Sequence, residues 1–466
     1  MSNLEKKTIF PFTRIHNPML VEAWLEDGEI KEARIIDTLY RGFEQILEGR
    51  PAMDMPYYTQ RICGVCSSAH GIASALAVEQ ALGMRIPPNA QIIRNLILAG
   101  DFIQNHLRHF YLLCLPDYFR GPDIAPFTPH VEGDIRLSPS EDELLTQHYL
   151  QSIEISRDAH AAFAVFGGKA PHGHGIVSGG CTIDIDADKI NRYRGYMTKV
   201  LDFIKSIMIP DIELLVQRYP EYVELGKGNG NYFSVGAFSN PDGSSLIPYG
   251  VSLQGKVQDL DPQLITEEVS TAWYKPTSPH PLEARTEPDR SQPNGYTWVK
   301  APRYQGQPVE VGSLARAVIA KEKIIGHGAL GRLWARAQET RKIAEAALSW
   351  LNSLNPGAET LNTQMAQDSG EGIGFFEAMR GSLGHWVRIE KGRVKNYQII
   401  TPSTFNFSSR DAAGTRSVGE SSIIGLKIEN PELKEAGRII RSFDPCFSCS
   451  VHLLDGEKLS TLNVRV

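Results

Sequence analysis

The chain has 466 residues, 42% of them hydrophobic and 22% charged, with a formal net charge of -6. That composition belongs to a globular protein with ample core material and excludes collagen, a disordered chain or a membrane-embedded body. The 48 Lys and Arg against 54 Asp and Glu leave no cationic excess for phosphates, which argues against a nucleic-acid partner.

At ~100 to 200 residues per domain the length allows several domains, although one interlocked body is equally compatible. The stretch from Met1 to Pro18 breaks into polar residues and prolines before any apolar run, so no export signal of the chain's own is expected. Residues 19–36 alternate apolar and polar about Asp27-Gly28, which predicts a hairpin. From about Arg61 the apolar spacing becomes helical, with Pro87 and Pro88 separating two helices. The second, Ile92 to Leu115, is interrupted by Arg94, Asp101, His106, Arg108 and His109, so it reads as a buried helix and not a membrane span.

A further helix is predicted from Pro139 to Val165, with Glu141, Asp142 and Glu143 at the positive end of its dipole. The glycine-rich segment 167–180 lacks the spacing of a phosphate-binding loop and reads as a turn of close backbone approach. Residues 255–310, rich in Pro, Ser, Thr and charge, read as a long surface excursion with short strands. Helices resume from Val311 to Leu354. A second hairpin spans Gly384 to Ile400 about Lys391-Gly392, and Pro402 to Asn406 reads as a loop. No internal repeat is present.

Six cysteines are too few for a disulfide scaffold. Cys114 and Cys181 stand alone and read as small buried hydrophobes. The other four form two C-x-x-C pairs, Cys63 with Cys66 and Cys446 with Cys449, at opposite ends of the chain. If the fold brings the ends together, four thiolates converge. On spacing alone a tetrahedral zinc site, a redox metal and disulfide pairing all remain open.

The surrounding residues are more specific. The first pair sits in Arg61-Ile62-Cys63-Gly64-Val65-Cys66 with His70 following, the second in Asp444-Pro445-Cys446-Phe447-Ser448-Cys449 with His452 following. These strings resemble the R-x-C-G-x-C-x-x-x-H and D-P-C-x-x-C-x-x-H signatures of the large, catalytic subunit of nickel-iron hydrogenases and match at every fixed position. Residues 39–50, 167–172, 296–316 and 380–386 are similar to family segments as well. The segment around Trp298, Lys300, Pro302 and Arg303 most resembles uptake, respiratory-type members.

The resemblance implies a mainly α fold with small β-hairpins and sheets (α+β). Residues 1–452 would form one large-subunit domain around a buried nickel-iron centre. It implies reversible heterolytic cleavage of H2 to protons and electrons. Cys63 and Cys446 would be terminal nickel ligands, and Cys66 and Cys449 would bridge nickel to iron. One carbon monoxide and two cyanides would complete the iron, with Arg380, Pro402 and Ser403 cupping the cyanides. Proton acceptors would be the Cys446 thiolate or the Arg380 guanidinium, the latter oriented by Asp444, although a guanidine is a poor base. Glu44, His452 and a carbonyl near Ile399 match the family's positions for a magnesium-type ion (Mg2+).

Two positions depart from the pattern. His16 stands where family members commonly carry a glutamate that takes the departing proton, and Asn105 where uptake-type members often carry an aspartate. An imidazole at position 16 could relay protons; a packed core histidine with protons leaving through water is the other reading. Residues 453–466 resemble a tail removed by a maturation endopeptidase after nickel-insertion proteins have acted. Too few cysteines remain for an iron-sulfur cluster, which implies an iron-sulfur small subunit. The location is then either cytoplasmic or co-exported with that subunit, with membrane contact only through partners. Two rivals share the ancestry. An H2-sensing regulatory subunit usually lacks the tail, and the related respiratory-complex subunits lack the four cysteines.

Overall fold

The structure is a computed structural model that describes residues 4–124, 133–429 and 433–447. The chain opens with an antiparallel sheet of β1 (Glu5–Phe12), β2 (Met19–Glu26) and β3 (Glu29–Asp37), the last two turning at Asp27-Gly28 as the alternation predicts. The apolar residues Met19, Val21, Ala23 and Leu25 of β2 all point into the core. Short helices α1 (Phe43–Leu47) and α2 (Met55–Thr59) lead to the first cysteine pair.

Long helices of the body follow, beginning with α3 (Ser67–Leu82), α4 (Pro88–Arg108) and α5 (Pro139–Gly167). α4 begins at Pro88, where a missing N–H costs no bond, and is buried on nearly all sides, its internal polar residues Arg94, Asp101 and His106 included. Among the described residues no helix is long and apolar enough to cross a membrane. α5 starts in a capping box in which Glu141 and Ser138 satisfy each other's backbone N–H groups. The glycine-rich segment carries a minimal hairpin of β4 (Ile176–Val177) and β5 (Gly180–Cys181). A Cβ at Gly179 would stand 2.2 Å from the carbonyl oxygen of Asn362, the close approach that the sequence suggests.

Helices α6 (Ala187–Phe203) and α7 (Ile209–Arg218) pack on α5 and on the later helix over Ala329–Leu351. A second sheet holds β6 (Tyr232–Ser239), β7 (Ser245–Leu253) and β8 (Lys256–Gln258), and β9 (Ile265–Glu268) pairs with β10 (Ala301–Tyr304). The expected surface excursion over 255–310 is therefore only partly one. Residues 297–304 are buried throughout, because the charges of Lys300 and Arg303 are met by internal carboxylates.

Helices α8 (Ser313–Ile319) and α9 (Ala329–Leu351) precede a third sheet of β11 (Gly370–Ala378), β12 (Gly381–Glu390) and β13 (Arg393–Ile400). The predicted hairpin is β12 and β13; β11 is an additional strand. Residues 402–406 are not a loop but the short helix α10 (Pro402–Asn406), again opened by a proline at its first position. Helices α11 (Val418–Ile423) and α12 (Lys434–Ser442) then carry the chain to Asp444 and Cys446.

Two contacts hold the cysteine motifs in place. β11 lies against α3 so closely that Cβ atoms at Gly372 and Gly374 would fall 1.9 and 1.8 Å from the carbonyl oxygens of Ala77 and Ala73. The two ends of the chain also meet directly. His16 N donates to the Pro445 carbonyl at 3.2 Å and Phe447 N to the His16 carbonyl at 2.9 Å, a parallel bridge that sets His16 beside Cys446.

Candidate metal centre

Cys63 ends the turn before the first motif, and Cys66 caps the N-terminus of α3. Cys446 arrives from α12 at the other end of the sequence, and all three are buried. The sulfurs of Cys63 and Cys446 stand 3.6 Å apart. A disulfide requires ~2.05 Å, so this pair is not one. Two sulfurs each ~2.3 Å from a shared ion in tetrahedral geometry would be ~3.8 Å apart, close to what is found. Cys449 and His452 lie outside the described residues, and among the described residues no three His, Cys, Asp or Glu side chains form a metal-binding group.

Arg380, on the tight connection between β11 and β12, is buried with its guanidinium over this end of the molecule. Its Nε lies 3.1 Å from Asp444 Oδ1, and its Nη2 donates to Asn105 Oδ1 at 3.2 Å. Asp444 Oδ2 accepts from Arg336 Nη1 at 2.9 Å. Burial alone would raise the Asp444 carboxyl, but Arg380, His109 and Arg336 hold it well below the usual carboxylate range. Burial works against the charge on Arg380, yet Asp444 and the three described motif cysteines push its pKa well above the ordinary value. The guanidinium is thereby a fixed cation, which counts against its use as a base.

Among the described residues Arg380 Nε and Nη1 and Asp444 Oδ1 nevertheless have no aligned hydrogen-bond partner, Nε and Oδ1 facing each other only as the ion pair above. Buried donors left open beside soft sulfur ligands fit an anionic or polar group held at that place. Ser403, in α10, accepts from Cys446 N at 2.9 Å and so fixes the backbone of that cysteine; Pro402 is buried beside it. His16 Nε2 is 3.9 Å from Asp444 Oδ1, and its side chain is 25% exposed where that of Asp444 is 1% exposed. Burial, and then Arg380, lower the His16 pKa, with Cys446 and Asp444 acting the other way. A neutral imidazole able to accept a proton therefore spans from the buried centre toward the surface.

The sequence motifs do not disclose a line of buried polar groups on the other side. His70 Nδ1 meets His385 Nε2 at 3.1 Å, His385 Nδ1 meets Tyr397 Oη at 2.8 Å, and Tyr397 Oη donates to Ser74 Oγ at 3.0 Å. Burial lowers the His70 pKa to about 3 and that of His385 well below its ordinary value, so both rings are neutral. His70 in the first cysteine motif and His385 in the segment 380–386 were marked by sequence, but nothing there paired them with each other or with Tyr397 and Ser74.

Glu44, at the start of α1, is also buried. Its Oε1 accepts from Ile399 N at 2.9 Å, so Ile399 faces it through the amide. Thr286 donates to Glu44 Oε2, and Lys300 Nζ lies 3.2 Å from Glu44 Oε2, 3.1 Å from Glu267 Oε2 and 3.3 Å from Gln398 Oε1. Burial pushes the Glu267 carboxyl up to about 7 against the pull of Lys300. Oxygens of this kind suit a hard cation, and Glu267, Thr286 and Gln398 were not foreseen from sequence.

With this geometry in place, the comparisons are decisive. The family model described as nickel-dependent hydrogenase matches residues 41–125 and 121–452. The chain belongs to the nickel-dependent hydrogenase family. It is 34% identical to the periplasmic [NiFeSe] hydrogenase large subunit of Desulfomicrobium baculatum, over 97% of this chain and 96% of that one. It is 31% identical to the hydrogenase-1 large chain of Escherichia coli K12, over 98% and 96% of the two chains. It is 29% identical to the uptake hydrogenase large subunit of Rhodobacter capsulatus, over 100% and 98%. The solved Ni-Fe-Se hydrogenase of D. vulgaris Hildenborough superposes with a TM-score of 0.94 at 35% identity, covering 97% of this chain and 100% of that one. The [NiFeSe] relatives carry selenium in their names, whereas all four motif positions are cysteine here.

This hydrogenase is thus a catalytic large subunit, an oxidoreductase acting on H2, with the α+β fold expected from the motifs. No finding favours the regulatory alternative, and a plain zinc site is set aside. Relatives named large subunit or large chain imply a small subunit as its partner.

Proposed function

We propose that Cys63, Cys66, Cys446 and Cys449 would hold a nickel-iron pair, Cys63 and Cys446 serving the nickel alone and Cys66 and Cys449 serving both metals, and that Arg380, Pro402 and Ser403 would surround one carbon monoxide and two cyanides on the iron. The observation that carries this reading is the 3.6 Å approach of two cysteine sulfurs from opposite chain ends, beside an arginine with open buried donors. When bound, the nickel-iron pair supplies the open coordination position and the redox capacity for H2 to part into two protons and two electrons.

The chain's own residues do the rest. Asp444 holds the Arg380 guanidinium in place, and the closed packing around it keeps water out. Cys446 Sγ accepts the proton. His16, bonded through its backbone on either side of Cys446, passes it outward at Nε2. Glu44, the carbonyl of Ile399 and His452 would hold a magnesium-type ion. Residues 1–452 form the mature domain, and residues 453–466 are removed by an endopeptidase once nickel has been inserted. Electrons leave to an iron-sulfur small subunit, and the periplasmic name of one relative supports co-export with that subunit.

Elemental analysis and an infrared spectrum of the protein isolated with its native partner test the site. The expected result is nickel and iron with cyanide and carbonyl bands. Nickel without those bands would sink the diatomic ligands, and a single zinc would sink the whole assignment.

A further inference from the structure

Asn105 is the departure from the family pattern that the mechanism leaves unused, and its surroundings explain it. Its Nδ2 lies 2.5 Å from the Val65 carbonyl, 2.9 Å from the Asp101 carbonyl and 3.3 Å from Asp101 Oδ1. Three acceptors on one side and the guanidinium of Arg380 on the other fix the amide. Its oxygen must face Arg380, because the reverse would set N–H against N–H and oxygen against three oxygens. An aspartate at this position could not serve the three acceptors while ionised.

The charge that an aspartate would bring stands one helical turn earlier, at Asp101, which is also buried. Every hydrogen bond to the Asp101 carboxyl comes from a donor. Ser68 gives its hydroxyl and its N–H, the latter at 3.3 Å, to Oδ2, while Gln104 Nε2 at 3.0 Å and Asn105 Nδ2 serve Oδ1. Burial raises the Asp101 pKa, and the Ser68 and Gln104 donors, with Arg380 beyond them, offset only part of that rise. Three of these four partners are N–H groups, which can only donate, so among the described residues the site is built to serve the carboxylate. Ser68 belongs to the same turn of α3 that follows Cys66, which ties this carboxylate to the cysteine motif as well as to Arg380.

We propose that Asp101 is a positioning residue for the hydrogenase reaction: through the oriented amide of Asn105 it anchors the Arg380 guanidinium over the cysteines, doing by relay what a carboxylate at position 105 would do by contact. This rests on the assignment of Arg380 and the four cysteines to the metal centre.

The test uses the complex of this chain with its native small subunit. The isosteric variant D101N should keep its nickel, lose ~10-fold in H2 oxidation and shift the infrared bands of the metal-bound ligands, because a displaced guanidinium changes the field at the centre. N105D sets a second carboxyl against Asp101, and two carboxyls so close share one proton. Facing that pair are Ser68 from α3, Gln104 and Arg108 from α4, and Arg380 with Asp444 behind it. The rate of N105D should therefore fall as pH rises across a step that the parent lacks, and D101N/N105D should abolish that step.

D101N with the parent's rate and bands, or N105D with the parent's pH profile, would overturn the anchor alone. A parent complex without nickel would overturn the underlying site assignment and the anchor with it. Should D101N fail to acquire nickel, S68A removes one of the four donors and is expected to lower the rate a few-fold; no change in rate or bands there would overturn the anchor.

Discussion

At position 16 a histidine stands beside Cys446 and Asp444, and its chemistry has consequences that can be measured. The imidazole is neutral, lies within 3.9 Å of Asp444 and is partly exposed, which are the properties of a group that takes a proton from a dry interior and returns it to water. His16→Gln keeps a polar side chain of similar reach but cannot carry a proton. H2 oxidation and isotope exchange should both fall ~100-fold with metal content unchanged, and His16→Glu should recover most of the loss. Unchanged turnover and exchange in the glutamine variant would mean that protons leave through water. His16 was legible because it broke a motif. The line from His70 through His385 and Tyr397 to Ser74 was not, because its members come from three elements, α3 and the distant β12 and β13.

Elements were legible where side chains wrote the pattern and illegible where glycine did. β11 places Gly370, Gly372 and Gly374 on the face toward α3, so the apolar alternation that marks a strand is absent on its buried side. α3 answers with Ala73, Ala77 and Ala81, and the helix and strand meet backbone to backbone. α10 has five residues, too few for a helical period to appear, and β1 mixes lysines with a proline. The alanine–glycine contact also fixes how α3 presents His70 to His385 on the next strand. Gly374→Ala would put a methyl group 1.8 Å from the Ala73 carbonyl, and neither backbone can yield without the other. We expect a loss of ~3 kcal/mol in denaturant unfolding and reduced nickel content; stability within error of the parent would show that α3 and β11 can separate freely.

The molecule as a whole depends on bringing its two ends together, since each supplies one cysteine pair. Besides the bridge at His16 and Cys446, the first sheet is tied to the C-terminal third through Glu32 of β3. Glu32 takes Arg410 and, at 3.0 Å, Arg416, while Arg410 also reaches Glu420 of α11 at 3.3 Å. Partial burial resists ionisation of Glu32, but the two arginines outweigh it and lower its pKa from 4.5 to about 2. The carboxylate is therefore favoured by folding. Its contribution is complete above the unfolded value near 4.5 and is lost as pH falls from there through about 2. Because Glu32 is partly exposed, solvent screening reduces that contribution to ~1 kcal/mol. Glu32→Gln should unfold at lower denaturant than the parent at neutral pH by that amount, with the slope unchanged. Acid weakens both proteins through their other carboxylates, but the gap between them isolates Glu32 and should close between about pH 4.5 and pH 2. A gap that persists at pH 2 would mean that the glutamine disturbs packing, and that the ends are held by the backbone bridge without help from this ion pair.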